Sequence, residues 1–195
     1  MTGIGHNSGH VNEPGQSWRR HAWRKARKAL LPDLPVEVVR LRVKRAKALG
    51  LPYRTYAGIR ASTGHDLIGF LFSSNALHIL RDGDALPTDR ARKLGDLHQT
   101  RRVGIVHKPV SALHLSSLAG IDAAFAGPSF DDPWSVMRDR IKMVVKTSGA
   151  PADRFLMIGD TAFEREWASA GQMAGYLPAS HYFEGWMDRD PSYAE

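Results

Sequence analysis

The sequence predicts a three-layer α/β fold on a mostly parallel sheet, preceded by a basic helical extension. Three observations carry this expectation. Between residues 67 and 177, five short apolar runs alternate with segments of helical period, the pattern of parallel strands joined by crossover helices. The fourth run, Phe155-Leu156-Met157-Ile158, stops at Gly159-Asp160. A helical segment with Phe163, Trp167 and Ala170 on one face follows, closed by Gly171, so a carboxylate stands where open α/β sheets bind ligands. Charge is also unevenly divided. Residues 1–60 hold 13 Lys or Arg against 3 acids, a net +10, whereas residues 61–195 hold 14 against 17, a net −3.

Composition excludes several classes. With no cysteine among 195 residues, disulfides, zinc–thiolate centres and thiol nucleophiles are ruled out. The longest apolar runs are far shorter than the roughly 20 residues of a membrane helix. The amino terminus lacks a charged-then-apolar signal pattern, so a cytoplasmic location and no membrane partner are expected.

Taken in order, residues 1–16 are rich in Gly, Asn, Ser and His without apolar period and read as a disordered leader. Residues 17–63 form the basic helical extension. Its first helix, residues 17–31, is capped by Ser17, with Trp18, Ala22, Ala26 and Ala29 on one side and Arg20, Arg24, Arg27 and Lys28 on another. A second helix over residues 36–49 is expected to face Val36, Val39, Val43 and Ala46 inward, and to present Arg40, Lys44 and Lys47 outward at i, i+4, i+7 spacing. Gly50 breaks it and Pro52 opens a third helix, to about residue 62. These cations, with Arg54, are the candidate contacts for nucleic acid or an acidic partner. The spacing Ala46-x-x-x-Gly50, then Leu51, Tyr56 and Ile59, resembles a helix-turn-helix over residues 43–62, with Tyr53, Arg54 and Arg60 as its DNA contacts. Arg45 stands where that motif usually has an apolar residue.

Residues 64–195 form the α/β domain. Strands are expected at residues 67–72, 103–106, 121–126, 155–158 and 173–177. Helices are expected at residues 88–97 with Thr88 as cap, 111–118, 133–147 with Val136, Ile141, Val144 and Val145 facing inward, and from Thr161 onward, with Asp160 a candidate cap. The tail from residue 181, aromatic and acidic, is a candidate cover for a sheet edge. Ser73-Ser74-Asn75, His107-Lys108 and Gly159-Asp160 fall at strand carboxyl ends.

An apolar strand followed by Gly159-Asp160-x-x-x-Glu164 resembles the last signature of the haloacid dehalogenase-like (HAD) superfamily. The order and spacing of elements agree with that family over residues 67–177. The resemblance implies a Rossmann-like sheet and, in active members, a phosphatase site. There, strand one ends in D-x-D, whose first Asp is phosphorylated and whose second is the acid/base. Strand two ends in Ser or Thr, a Lys neutralises the phosphoryl group, and the closing acids hold magnesium. Here Ser73 and Asn75 stand at the D-x-D positions, His107 at the Ser or Thr, and Asp131-Asp132-Pro133 near the Lys. Asp160 and Glu164 keep the family type and are the candidate Mg²⁺ ligands. Ser73, Asn75, His107 and Lys108 are the candidate catalytic positions, with Ser73 as nucleophile to a His107 base, or Lys108 as a relocated phosphate-binding cation.

Without the first carboxylate there is no phospho-aspartate, and magnesium loses a main ligand. The expectation is a HAD-like fold without phosphatase catalysis, acting in binding or regulation through its basic region. The alternatives are a HAD-like hydrolase with an altered site and a helix-turn-helix regulator.

Overall fold

The computed structural model describes residues 34–184. The leader (1–16), the first basic helix (17–31) with Arg20, Arg24, Arg27 and Lys28, and the tail beyond residue 184 lie outside the described residues. The chain divides between Val39 and Arg40 into two compact units. The second unit holds the sheet, and one helix runs across the division.

That helix, α1 (Val36–Ala48), ends at Gly50, whose φ of 62° is a left-handed turn that glycine adopts without strain. Helix α2 follows (Tyr53–Thr63), and then β1 (Gly69–Ser73), α3 (Thr88–Gly95), β2 (Arg101–Val106), α4 (Ala112–Ser117), β3 (Ala123–Ala126), α5 (Trp134–Thr147), β4 (Phe155–Gly159), α6 (Ala162–Ala170), β5 (Gly175–Pro178) and α7 (Ala179–Phe183). The five strands form one sheet in the order β3-β2-β1-β4-β5, every pair parallel. All five fall within two residues of their expected positions.

Alternation along the strands divides the core into two layers. Phe70 and Phe72 of β1, with Leu156 and Ile158 of β4, pack with Leu49, Leu51, Tyr56, Leu94, Leu115 and Tyr182. Leu71, Val103, Ile105, Phe155 and Met157 point the other way and pack under Met137, Ile141, Val144 and Val145 of α5 and Trp167 of α6. Period-2 side chains on a sheet covered on both faces produce such a three-layer domain. β1 is central, and all five of its residues are buried. Gly69 opens it because a Cβ there would stand 2.6 Å from the Arg101 backbone oxygen and 2.8 Å from the Phe155 ring.

Several local expectations are corrected. Val36 and Val43 are 60% and 46% exposed, and the inward positions of α1 are taken by Ala46, with Leu49 just beyond its end. Arg45 reaches inward instead. Its guanidinium donates to Asp66 Oδ2 (3.2 Å), to the Leu67 carbonyl (2.6 Å) and to the Gln99 carbonyl (3.1 Å), and its side chain is largely buried. Thr88 is the first residue of α3 and not its cap; Pro87 precedes it with no side-chain bond. In α5, Met137 is buried where Val136 was expected, and Val136 is exposed. Residues 181–183 of the expected tail belong to α7, whose buried Tyr182 donates to the Leu49 carbonyl at 3.1 Å. Residues 40–63 share one core with the sheet, through Leu49, Leu51 and Tyr56.

Candidate functional site

In the order β3-β2-β1-β4-β5 the chain's winding reverses between β1 and β4, so the crevice at the carboxyl ends of these two strands is where a ligand would be sought. Glu164 occupies it. This carboxylate is fully buried, on the first turn of α6. Thr161 is the N-cap: its Oγ1 accepts from the Glu164 amide at 3.2 Å, and Glu164 Oε2 accepts from the Asp160 amide (2.6 Å) and the Thr161 amide (3.0 Å). This is a reciprocal capping box, which satisfies backbone donors that a helix start otherwise leaves open. Asp160 is therefore not the cap; its side chain is exposed.

The second oxygen, Oε1, reaches across the crevice. Asn75 Nδ2 donates to it at 3.1 Å, and His107 Nε2 lies 2.8 Å away. A carboxylate only accepts, so Nε2 carries the imidazole proton toward Glu164. Burial by itself would push the Glu164 carboxyl up. The hydrogen bonds from His107, the Asp160 amide and Ser73 outweigh it and hold the group below its ordinary 4.5.

The rest of the crevice is similarly occupied. Ser73 is buried at the end of β1, and its Oγ accepts from the Ala76 amide at 3.0 Å. Ser74, also buried, accepts from the His107 amide through its Oγ at 3.2 Å, tying the ends of β1 and β2 together. The His107 ring stacks on Trp167, with centroids 4.5 Å apart and planes at 25°. Phe130 lies 6.3 Å from His107 and stacks on Phe163 at 4.4 Å.

The sequence therefore locates Ser73, Asn75, His107, Asp160 and Glu164 in one place, and the structure brings them together around a single carboxylate. No hydrogen bond joins Ser73 to His107 among the described residues. With Nε2–H held by Glu164, the nitrogen left to act as a base is Nδ1, and Ser73 Oγ is engaged instead with the Ala76 amide. Lys108 is exposed and, with His107, lines a cavity at the ends of β2 and β3. Trp167 and Phe130, the ring partners of His107, were not singled out in the sequence as site residues. The spacing Thr161-x-x-Glu164 was the readable sign of the capping box.

The residues do not fit a magnesium ion. Glu164 has about four lone-pair positions, and Asn75, His107, the Asp160 and Thr161 amides and the Ser73 hydroxyl crowd them; of the carboxylates there, Asp160 alone remains. Among the described residues no group of three or more His, Asp or Glu is arranged to hold a metal.

The basic surface is partly in view. Arg40, Lys44 and Lys47 are exposed along α1 and form no ion pair among the described residues. Arg54 is exposed on α2. Arg60 lies 3.5 Å from Asp66 and 3.3 Å from the Tyr56 hydroxyl, which itself donates to Asp66 at 2.6 Å. Tyr53 packs against the core. Tyr53 and Arg60, expected to read DNA in a helix-turn-helix, are thus engaged within the domain.

Fold and site together define a three-layer, all-parallel α/β domain of Rossmann-like type, whose switch-point crevice is filled by a buried, fully bonded glutamate. Comparison with family models, with curated proteins and with solved structures finds no match. Among the described residues no helix is long and apolar enough to cross a membrane.

Proposed function

We propose that this chain is a degenerate HAD-like protein without phosphatase catalysis, and that it acts by binding. In this reading the α/β domain is a scaffold, and the basic region at its amino-terminal side engages nucleic acid or an acidic partner. The observation that carries the catalytic half is the saturation of Glu164. HAD-type phosphoryl transfer needs a carboxylate nucleophile at the end of the first strand and concentrated positive charge. Ser73 stands at that strand end, and the one buried carboxylate of the crevice is consumed in a helix cap and two cross-strand bonds. The strand order, with an acid after β4, supports the HAD-like resemblance at the level of topology. The exposed Arg40, Lys44 and Lys47 support the binding half. The helix-turn-helix reading is weaker, because Arg60 and Tyr53 are occupied within the domain.

Assaying the full chain on a generic aryl phosphate with magnesium tests the catalytic half. Release of phosphate is expected to stay at the buffer rate, and Asp160→Asn is expected to change nothing. Turnover above that rate that disappears in Asp160→Asn would overturn the reading.

A further inference from the structure

We propose that the cavity between the β2–α4 and β3–α5 loops is a binding site for a small organic anion carrying a flat ring, such as an aryl phosphate or carboxylate. The cavity measures about 600 Å³, within the range of roughly 300–1,000 Å³ typical of small-molecule sites. It adjoins the β1–β4 crevice through His107, which is in its wall, but takes neither Asp160 nor Glu164 into that wall.

Its lining holds two kinds of recognition group. Lys108 and Arg140 supply positive charge. Lys108 is exposed and makes no ion pair among the described residues. Arg140 has one long ion pair, 3.7 Å to Asp132 Oδ2, an oxygen that already accepts from the Ser129 amide at 2.8 Å. Most of the five N–H donors of its fork remain available for an anion. Asp131, exposed and also lining the cavity, is the single carboxylate there, so the wall is net positive.

The flat surface is Phe130. It is 78% exposed, an unusual state for a large ring, yet it is held in place by its stack on Phe163, with planes at 17°. It stacks on Phe163 and lies near the His107 ring, and most of its surface is still exposed. A ring fixed in this way offers an aromatic ligand a stacking partner that has already lost its freedom. The floor, Val110 and Ala126, is apolar. An anionic group on Arg140 and Lys108 with a ring against Phe130 uses both kinds of recognition group. A bare inorganic anion leaves the ring unused, and a neutral aromatic leaves the cations unused.

The test is a titration of the full chain, followed by amide NMR, with phenyl phosphate, inorganic phosphate and benzyl alcohol. Phenyl phosphate is expected to produce saturable shifts confined to residues 107–112 and 126–131, and to bind at least about tenfold more tightly than either single-feature probe. Arg140→Gln is expected to weaken it about tenfold with an unchanged melting temperature, and Lys108→Gln serves as the second variant if the first is destabilised. Asp160→Asn is expected to leave affinity alone; this separates the site from the β1–β4 crevice, so its failure would not bear on the catalytic silence proposed above. The proposal is overturned by no saturable shift up to about 10 mM, by equal binding of benzyl alcohol, by undiminished affinity in both cation variants, or by affinity that follows Asp160.

Discussion

Glu164 sits where a strand, a helix start and two neighbouring loops each need an acceptor, and its two oxygens serve all of them. Removing it leaves the Asn75 amide, the His107 ring and two backbone amides unpaired in a buried crevice. Glu164→Ala is therefore expected to destabilise the domain by about 3 to 5 kcal/mol in denaturant unfolding. A loss below about 1 kcal/mol would mean that water replaces the carboxylate freely. The same group sets an acid limit. Its folded-state carboxyl lies below the ordinary 4.5, so its contribution is complete above that pH and is lost as pH falls through the lower folded value. Stability of the native chain should thus decline on acidification below about 4.5, and Glu164→Gln should flatten that decline. An identical acid profile in Glu164→Gln would contradict the assignment. The cap itself was readable as Thr161-x-x-Glu164, but its cross-crevice partners were not, because Asn75 and His107 lie 89 and 57 residues away in sequence. A sequence names donors and acceptors; the fold decides which of them meet.

Among the elements, the helical pair α1–α2 is fastened to the sheet by a polar cluster around Asp66, which takes Arg45, Arg60 and the Tyr56 hydroxyl together. The Tyr56 ring is buried, and burial with the Asp66 carboxylate pushes its phenol up, so the hydroxyl stays a donor at any ordinary pH. Tyr56→Phe keeps the ring and removes the bond, and is expected to lower stability by about 1 to 2 kcal/mol by thermal or denaturant unfolding. No measurable change would show that Arg45 and Arg60 suffice. In β1, Gly69→Ala would push a methyl into the Arg101 carbonyl, which belongs to the sheet and cannot swing aside. Loss of about 3 kcal/mol is expected, and a neutral effect would show that the β1–β2 pairing is looser than described. The strands were legible because a sheet covered on both faces demands continuous apolar runs. The inward face of α1 was not. Arg45 breaks the apolar stripe with a largely buried side chain whose head finds three oxygen partners, so counting apolar residues pointed to Val43 instead.

For the whole molecule, α/β architecture and parallel strands followed from alternation, whereas the order β3-β2-β1-β4-β5 did not, since spacing alone leaves the neighbours of each strand open. Charge asymmetry was visible at once, and its surface component at Arg40, Lys44 and Lys47 is where the fold leaves it exposed. The proposed function has the chain binding a polyanion through these cations and those before them. The direct measurement is the affinity of the full chain for single- and double-stranded nucleic acid across a range of salt, for the native chain and for Arg40→Gln/Lys44→Gln/Lys47→Gln. Binding should be strong at low salt and fall log-linearly, and the triple variant should weaken it equally for all sequences and flatten the slope by up to about three units. No binding at low salt, or a slope that the triple variant leaves unchanged, would contradict it.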